Sequence, residues 1–118
     1  LVTAVKSKAE SGYIRLCDGR RLPVDGSHKA LNYLLQGSAG SVAKSWMIHI
    51  HNVIKQTELQ AHQLAFVHDE LQFECLPEYA DTLKSALELS SLTAGESYDL
   101  RIPISAESKV GQTWADVH

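Results

Sequence analysis

Cysteine is scarce in this sequence, and the two that occur do not pair. Cys17 and Cys75 lie far apart and form no C-x-x-C unit. This argues against a disulfide framework or a zinc site and leaves a reducing, cytoplasm-like compartment as the default. Long apolar runs are missing as well. No stretch approaches the ~18 apolar residues of a membrane span, and the longest helical region is interrupted by Lys44, His49 and His51. The N-terminus, Leu1-Val2-Thr3-Ala4-Val5-Lys6, has no basic-then-apolar signal-peptide layout. It reads as the middle of a helix, and with no initiating methionine the expectation is a chain that begins inside a larger protein. A basic excess is absent too. The formal net charge is −3, whereas a nucleic-acid binder standing alone usually carries surplus positive charge. Any contact with DNA must draw much of its positive charge from elsewhere. There is no internal repeat and no low-complexity linker.

What is present is ordinary globular composition, 44% hydrophobic and 21% charged, over 118 residues. That length fits one domain or part of one. Residues 2–11 read as a helix stopped by Gly12. Tyr13 to Leu16 reads as a strand, Asp18-Gly19 as a two-residue hairpin turn, and Arg21 to Val24 as the returning strand. Ser27 is an N-cap candidate for a long helix over 28–56. Its apolar positions Leu31, Leu34, Leu35, Val42, Trp46, Ile50, Val53 and Ile54 recur at three- and four-residue steps. Gly37-Ser38-Ala39-Gly40 forms a small-residue patch in that helix, where each glycine costs roughly 1 kcal/mol relative to alanine. Close packing against another element and room for a large ligand both account for such a patch.

Leu64 to Val67 reads as a short strand, and Leu71-Gln72-Phe73-Glu74-Cys75 alternates as a half-buried strand does. Pro77 opens a helix to about Leu92, and Gly95 ends that region. Leu100 to Ala106 reads as an edge strand, because Pro103 cannot donate to a ladder. The expected fold class is α+β, an antiparallel sheet packed with helices.

The sharpest feature is Val67-His68-Asp69-Glu70-Leu71, two adjacent carboxylates at a tight turn between apolar strands. Acids at a hairpin tip are commonly just solvated. On rigid strands, however, a carboxylate has the fixed geometry a divalent metal site needs, and Mg²⁺ binds through one or two carboxylates plus substrate phosphates. Neighbouring Asp69 and Glu70 should point differently, one a direct ligand and the other a lesser partner. His68 is a candidate ligand or base. Beside a carboxylate its charged form is favoured, which suits a polyanion better than a metal. His49 and His51, two apart on a helix, do not face each other, and His62 reads as solvated.

Four segments in order resemble the A-family (polymerase I-like) DNA polymerases, phage and bacterial members in particular. Asp18-Gly19-Arg20-Arg21-Leu22 is similar to the family's DGRR hairpin after the fingers. Ala30-Leu31-Asn32-Tyr33-Leu34-Leu35-Gln36-Gly37-Ser38-Ala39 resembles its N-x-x-x-Q-G-[ST]-A helix. Val67-His68-Asp69-Glu70 resembles motif C. Gly111-Gln112-Thr113-Trp114 through His118 resembles the family's closing G-x-x-W…H. Order and spacing match over nearly the whole chain.

The resemblance implies a C-terminal palm segment over residues 1–118. Residues 1–27 would be the helix end and DGRR hairpin, and residues 28–118 the palm helix, motif C hairpin and C-terminal elements. The motif C hairpin and the C-terminal edge strand would share the palm sheet. Asp69 would hold two catalytic Mg²⁺ ions, with Glu70 beside it in a lesser role. His68 would lie near the primer terminus, and Asn32 and Gln36 would face the minor groove of the new duplex. Minor-groove acceptors are nearly alike in every base pair, so an amide there checks shape without reading sequence. Arg20 would contact the duplex backbone. His28 stands near where some members have an arginine.

The implied reaction is template-directed DNA synthesis. A primer 3′-hydroxyl attacks the α-phosphate of a dNTP and pyrophosphate leaves, assisted by metals roughly 3.5–4 Å apart. The partners implied are primer-template DNA, dNTP and the upstream polymerase segment, in the cytoplasm of a bacterial or phage-infected cell. No partner aspartate in a D-Y-S-Q-I/L-E-like strand and no fingers helix occur in this chain. Its ending resembles the family's own, so the missing parts are expected upstream, in a shortened chain or a split polymerase. Two other classes compete. An unrelated small metal-dependent hydrolase would use His68, Asp69 and Glu70 with further ligands. A non-catalytic nucleic-acid-binding or assembly module is disfavoured by the acidic charge.

Overall fold

The computed structural model describes residues 1–118 as two compact units, Leu1–Val42 and Ala43–His118. In the first, helix α1 (Val2–Ala9) buries Val5 and Ala9, which lie one turn apart on one face. The chain then reverses through Gly12, whose φ of +91° lies in the left-handed region that glycine alone enters freely. Strands β1 (Tyr13–Arg15) and β2 (Arg21–Pro23) pair antiparallel, with Ile14 opposite Leu22.

The turn between them is not the expected two-residue one. Cys17, Asp18 and Gly19 form a three-residue loop, closed by the Gly19 N–H on the Leu16 carbonyl at 3.0 Å. A two-residue turn of the Asp-Gly kind needs positive φ at both central residues. Here only Gly19, at +85°, has it. The Asp18 carboxylate instead accepts the Arg20 N–H at 3.0 Å.

Ser27 does not cap the long helix with its side chain. It opens a 3-10 turn over Ser27–Lys29 that feeds α2 (Ala30–Thr57). The core of this unit gathers Val5, Ala9, Ile14, Val24 and Ala30, with Leu16, Leu22, Tyr33 and Leu34 packed on it. Full burial of a side chain such as Ile14 is worth about 1.5–3 kcal/mol. Leu35 was expected on the packed stripe but is exposed.

The second unit takes the later turns of α2. Strands β3 (Ala61–Val67) and β4 (Glu70–Cys75) form a separate antiparallel pair. Leu71, Phe73 and Cys75 face the core made by Ile50, Ala61 and Leu83, as the alternation requires. The register slips by one residue at Leu64: Gln63 sits opposite Phe73 and Ala65 opposite Gln72. This is a β-bulge, which bends and twists the strand toward its tip. His62 belongs to β3 and is exposed. A 3-10 turn at Pro77–Tyr79 leads into α3 (Ala80–Glu96), and Trp46 Nε1 donates to the Leu87 carbonyl at 2.9 Å.

Two expectations fail here. Gly95 does not end α3 but lies inside it. A Cβ there would meet Ile104 Cγ1 at 2.8 Å and the Ile104 backbone nitrogen at 3.3 Å, so glycine permits a close crossing. The edge strand over Leu100 to Ala106 does not form either, and the fold holds two two-stranded sheets. Pro103 lacks a donor, and Ile104 is engaged with α3 instead of a ladder. The α+β class stands. A short helix α4 (Trp114–Val117) follows the extended segment.

Candidate functional site

The β3–β4 hairpin turns in two residues, with Val67 opposite Glu70 and His68-Asp69 between them. His68 adopts a φ of +56°. For a residue with a side chain this costs roughly 1–2 kcal/mol, and such strain persists only where the surroundings enforce it. His68, Asp69 and Glu70 are all exposed.

The two neighbouring carboxylates have different surroundings. Asp69 has no salt-bridge or hydrogen-bond partner for its side chain. Glu70 is held from two sides. Gln72 Nε2 donates to its Oε2 at 3.2 Å, and His118 Nε2 lies 3.0 Å from the same oxygen. The His118 ring stacks on Trp114 with centroids 4.4 Å apart and planes 10° from parallel. Its Nδ1 is 3.1 Å from the Trp114 carbonyl. Both ring nitrogens thus face acceptors, and both bonds form together only in the imidazolium. The Glu70 hydrogen bond accordingly raises the His118 pKa, helped by the Trp114 carbonyl, and the His118 bond lowers that of Glu70.

His118 is presented by a well-fixed ending. Thr113 and Asp116 form a capping box, and Asp116 accepts the N–H groups of Gln112 at 3.0 Å and Thr113 at 2.8 Å. The Thr113 N–H is the main reason the Asp116 carboxyl sits below its usual range. A Cβ on Gly111 would come within 2.5 Å of Asp116 Cβ. Sequence reading linked Trp114 and His118 only by motif. Nothing local signalled that His118 reaches Glu70, 48 positions away.

The remaining candidates lie in the first unit. Asn32 and Gln36 are exposed, four apart on one face of α2. His28, in the preceding 3-10 turn, is exposed, with its ring over Gly26. Arg20 is anchored by Nε to Asp18 Oδ2 at 2.6 Å and by Nη2 to Ser41 Oγ at 2.9 Å, with 61% of its side chain still exposed. The small-residue patch divides. A Cβ on Gly37 would meet Leu16 Cδ2 at 2.8 Å, and Ser38 Oγ accepts the Cys17 N–H at 3.2 Å. Both are packing roles. Gly40 has nothing within 4 Å of a Cβ position.

No group of three or more histidine, cysteine or acidic side chains gathers to hold a metal. No helix is long and apolar enough to cross a membrane. The donor chemistry at the tip, hard carboxylate oxygen on a paired hairpin, fits one part of a shared divalent-cation site and not a self-contained cage.

Comparison with known proteins identifies the class. Residues 5–116 match the model of DNA polymerase family A, and the chain belongs to that family. It is 30% identical to a DNA-directed DNA polymerase of Escherichia phage Phieco32, over all of this chain and 20% of that protein. It is 32% identical to DNA polymerase I of Borreliella burgdorferi, over 75% of this chain and 10% of the relative. Among solved structures, the POL domain of Pol1 from M. smegmatis, in complex with DNA primer-template and dNTP, superposes with a TM-score of 0.78. It is 29% identical, covering 88% of this chain and 20% of that one. The chain thus spans about a fifth or less of the length of these relatives.

Proposed function

We propose that this chain is the C-terminal palm segment of a DNA polymerase and serves template-directed addition of dNMP to a primer 3′-hydroxyl. The observation that carries the reading is the uncommitted Asp69 carboxylate at the tip of a paired hairpin, next to a restrained Glu70, in a member of DNA polymerase family A. Asp69 is the motif C carboxylate that would hold Mg²⁺, with Glu70 in a lesser role beside it. When bound, the metals would activate the attacking oxygen and neutralise charge on the leaving pyrophosphate. His68, exposed at the strained turn, faces the primer terminus. Asn32 and Gln36 offer amides to the minor groove, where acceptors hardly vary with sequence. Arg20, its guanidinium fixed along one side by Asp18 and Ser41, contacts the duplex backbone, and His28 makes a further contact with DNA.

The partners proposed are primer-template DNA, dNTP and the rest of a polymerase, including a second metal-holding aspartate and the fingers. The proposed setting is the cytoplasm of a bacterial or phage-infected cell. The hydrolase alternative needs several converging ligands, and no such cluster exists. A test is primer extension by the purified 118-residue chain, alone and mixed with an upstream piece carrying the partner aspartate. The chain alone should add no nucleotide, and the mixture should extend primers in a Mg²⁺-dependent way. Asp69-dependent synthesis by the chain alone would overturn the partial-site reading.

A further inference from the structure

Glu70 receives more structural attention than an exposed acid at a strand end requires. Its backbone is fixed by pairing with Val67. Its Oε2 is met by Gln72 and by His118. His118 in turn is oriented through both faces of its chemistry: the ring plane lies on Trp114, and Nδ1 lies on the Trp114 carbonyl. Trp114 opens a helix of only four residues, locked by the Thr113–Asp116 capping box and by the tight approach at Gly111. A run of restraints over residues 111–118 therefore converges on a single carboxylate oxygen. The adjacent Asp69 receives none of it.

We propose that His118 is a positioning residue that acts through Glu70, holding its carboxylate in one orientation beside Asp69 while Trp114 holds His118. This deepens the proposed function and rests on it. The physical reason is selection between two neighbouring acids. A free glutamate samples several rotamers, so its negative charge would have no fixed position beside Asp69. The clamp removes that freedom and leaves Asp69 as the open ligand. Partners of this kind, standing behind a ligand, typically change affinity or activity by 10–100-fold when removed.

The experiment compares His118→Ala, His118→Gln, Glu70→Ala and the double variant His118→Ala/Glu70→Ala in the active polymerase, with Asp69→Ala as reference. His118→Ala should lower kcat on the order of tenfold with duplex affinity unchanged. His118→Gln, whose amide nitrogen can replace Nε2, should recover most of the loss. On the Glu70→Ala background, His118→Ala should cost nothing further. Independently of activity, ¹⁹F NMR of fluorotryptophan-labelled protein should show the Trp114 resonance, assigned with Trp114→Phe, moving in both His118→Ala and Glu70→Ala. An unchanged kcat in His118→Ala overturns the proposal. So does an equal loss on the Glu70→Ala background, or a Trp114 signal indifferent to Glu70→Ala. Near wild-type synthesis by Asp69→Ala instead overturns the underlying site reading, so the two failures are distinguishable.

Discussion

Arg20 Nε donates to Asp18 Oδ2 at 2.6 Å across the first hairpin turn, and the same carboxylate oxygen accepts the Ser41 hydroxyl from α2 at 2.7 Å. Ser41 Oγ is also 3.2 Å from the Gly37 carbonyl, but a hydroxyl has one proton, and the shorter, charge-assisted bond to Asp18 is the stronger. The oxygen of Ser41 then receives Arg20 Nη2. The loop and the helix are joined through three side chains.

That network sets an acid-stability signature. The Ser41 hydroxyl, then the Arg20 N–H, pull the Asp18 pKa from 3.8 down to about 2. A carboxylate with a depressed folded-state pKa stabilises the fold above its unfolded value, and the contribution is lost as pH falls through the folded value. Asp18→Asn should therefore lower the thermal midpoint at neutral pH, and the difference from wild type should shrink between pH 3.8 and about 2. Thermal melts across that range check this. A constant difference would mean that the carboxylate's charge is not what matters.

The two glycines of α2 should respond in opposite ways. Gly40→Ala meets open space and should raise stability by about 0.5–1 kcal/mol, the usual gain at a helix interior. Gly37→Ala must displace Leu16, and the gain should be cancelled or reversed. Urea midpoints of the two variants make the comparison. If Gly40→Ala stabilises the protein yet slows primer extension, the open position is used by the duplex.

These assignments show what local sequence can convey. Leu71, Phe73 and Cys75 were legible because strand alternation is a short-range signal, and the β3–β4 turn because His68-Asp69 separates two apolar runs. The bulge at Leu64 left no mark, since Gln63-Leu64-Ala65 contains no glycine or proline. The absent strand over Leu100 to Ala106 was misread because β-like composition does not supply a partner. Ile104 fits the gap at Gly95, a contact that only the fold reveals. The Asp18–Ser41 and Glu70–His118 pairs join distant segments and carry no periodicity at all.

Gly95→Ala should destabilise the protein by about 1–3 kcal/mol, the usual cost of overpacking. The added carbon meets a β-branched side chain and a backbone nitrogen, neither of which yields easily. Ile104→Ala on that background should recover part of the loss, because contacting residues do not act additively. A double-mutant cycle by chemical denaturation measures the coupling, and strict additivity would mean that the two residues do not touch.

Gln36→Ala should weaken primer extension without changing its Mg²⁺ dependence. The side chain is exposed on α2, one turn from Asn32 and next to Gly37. Extension from matched and mismatched termini is the informative assay. Unchanged rates on both would reduce Gln36 to an ordinary surface residue.

The central claim concerns one carboxylate, and the direct measurement is single-nucleotide primer extension by the active polymerase carrying Asp69→Ala, with duplex affinity measured in parallel. Loss of the carboxylate proposed to hold the metals should cut the rate of nucleotide addition by a factor on the order of 10³ or more, while duplex affinity stays near that of wild type. Extension by Asp69→Ala at near wild-type rate would contradict the assignment of the β3–β4 tip as the catalytic carboxylate site.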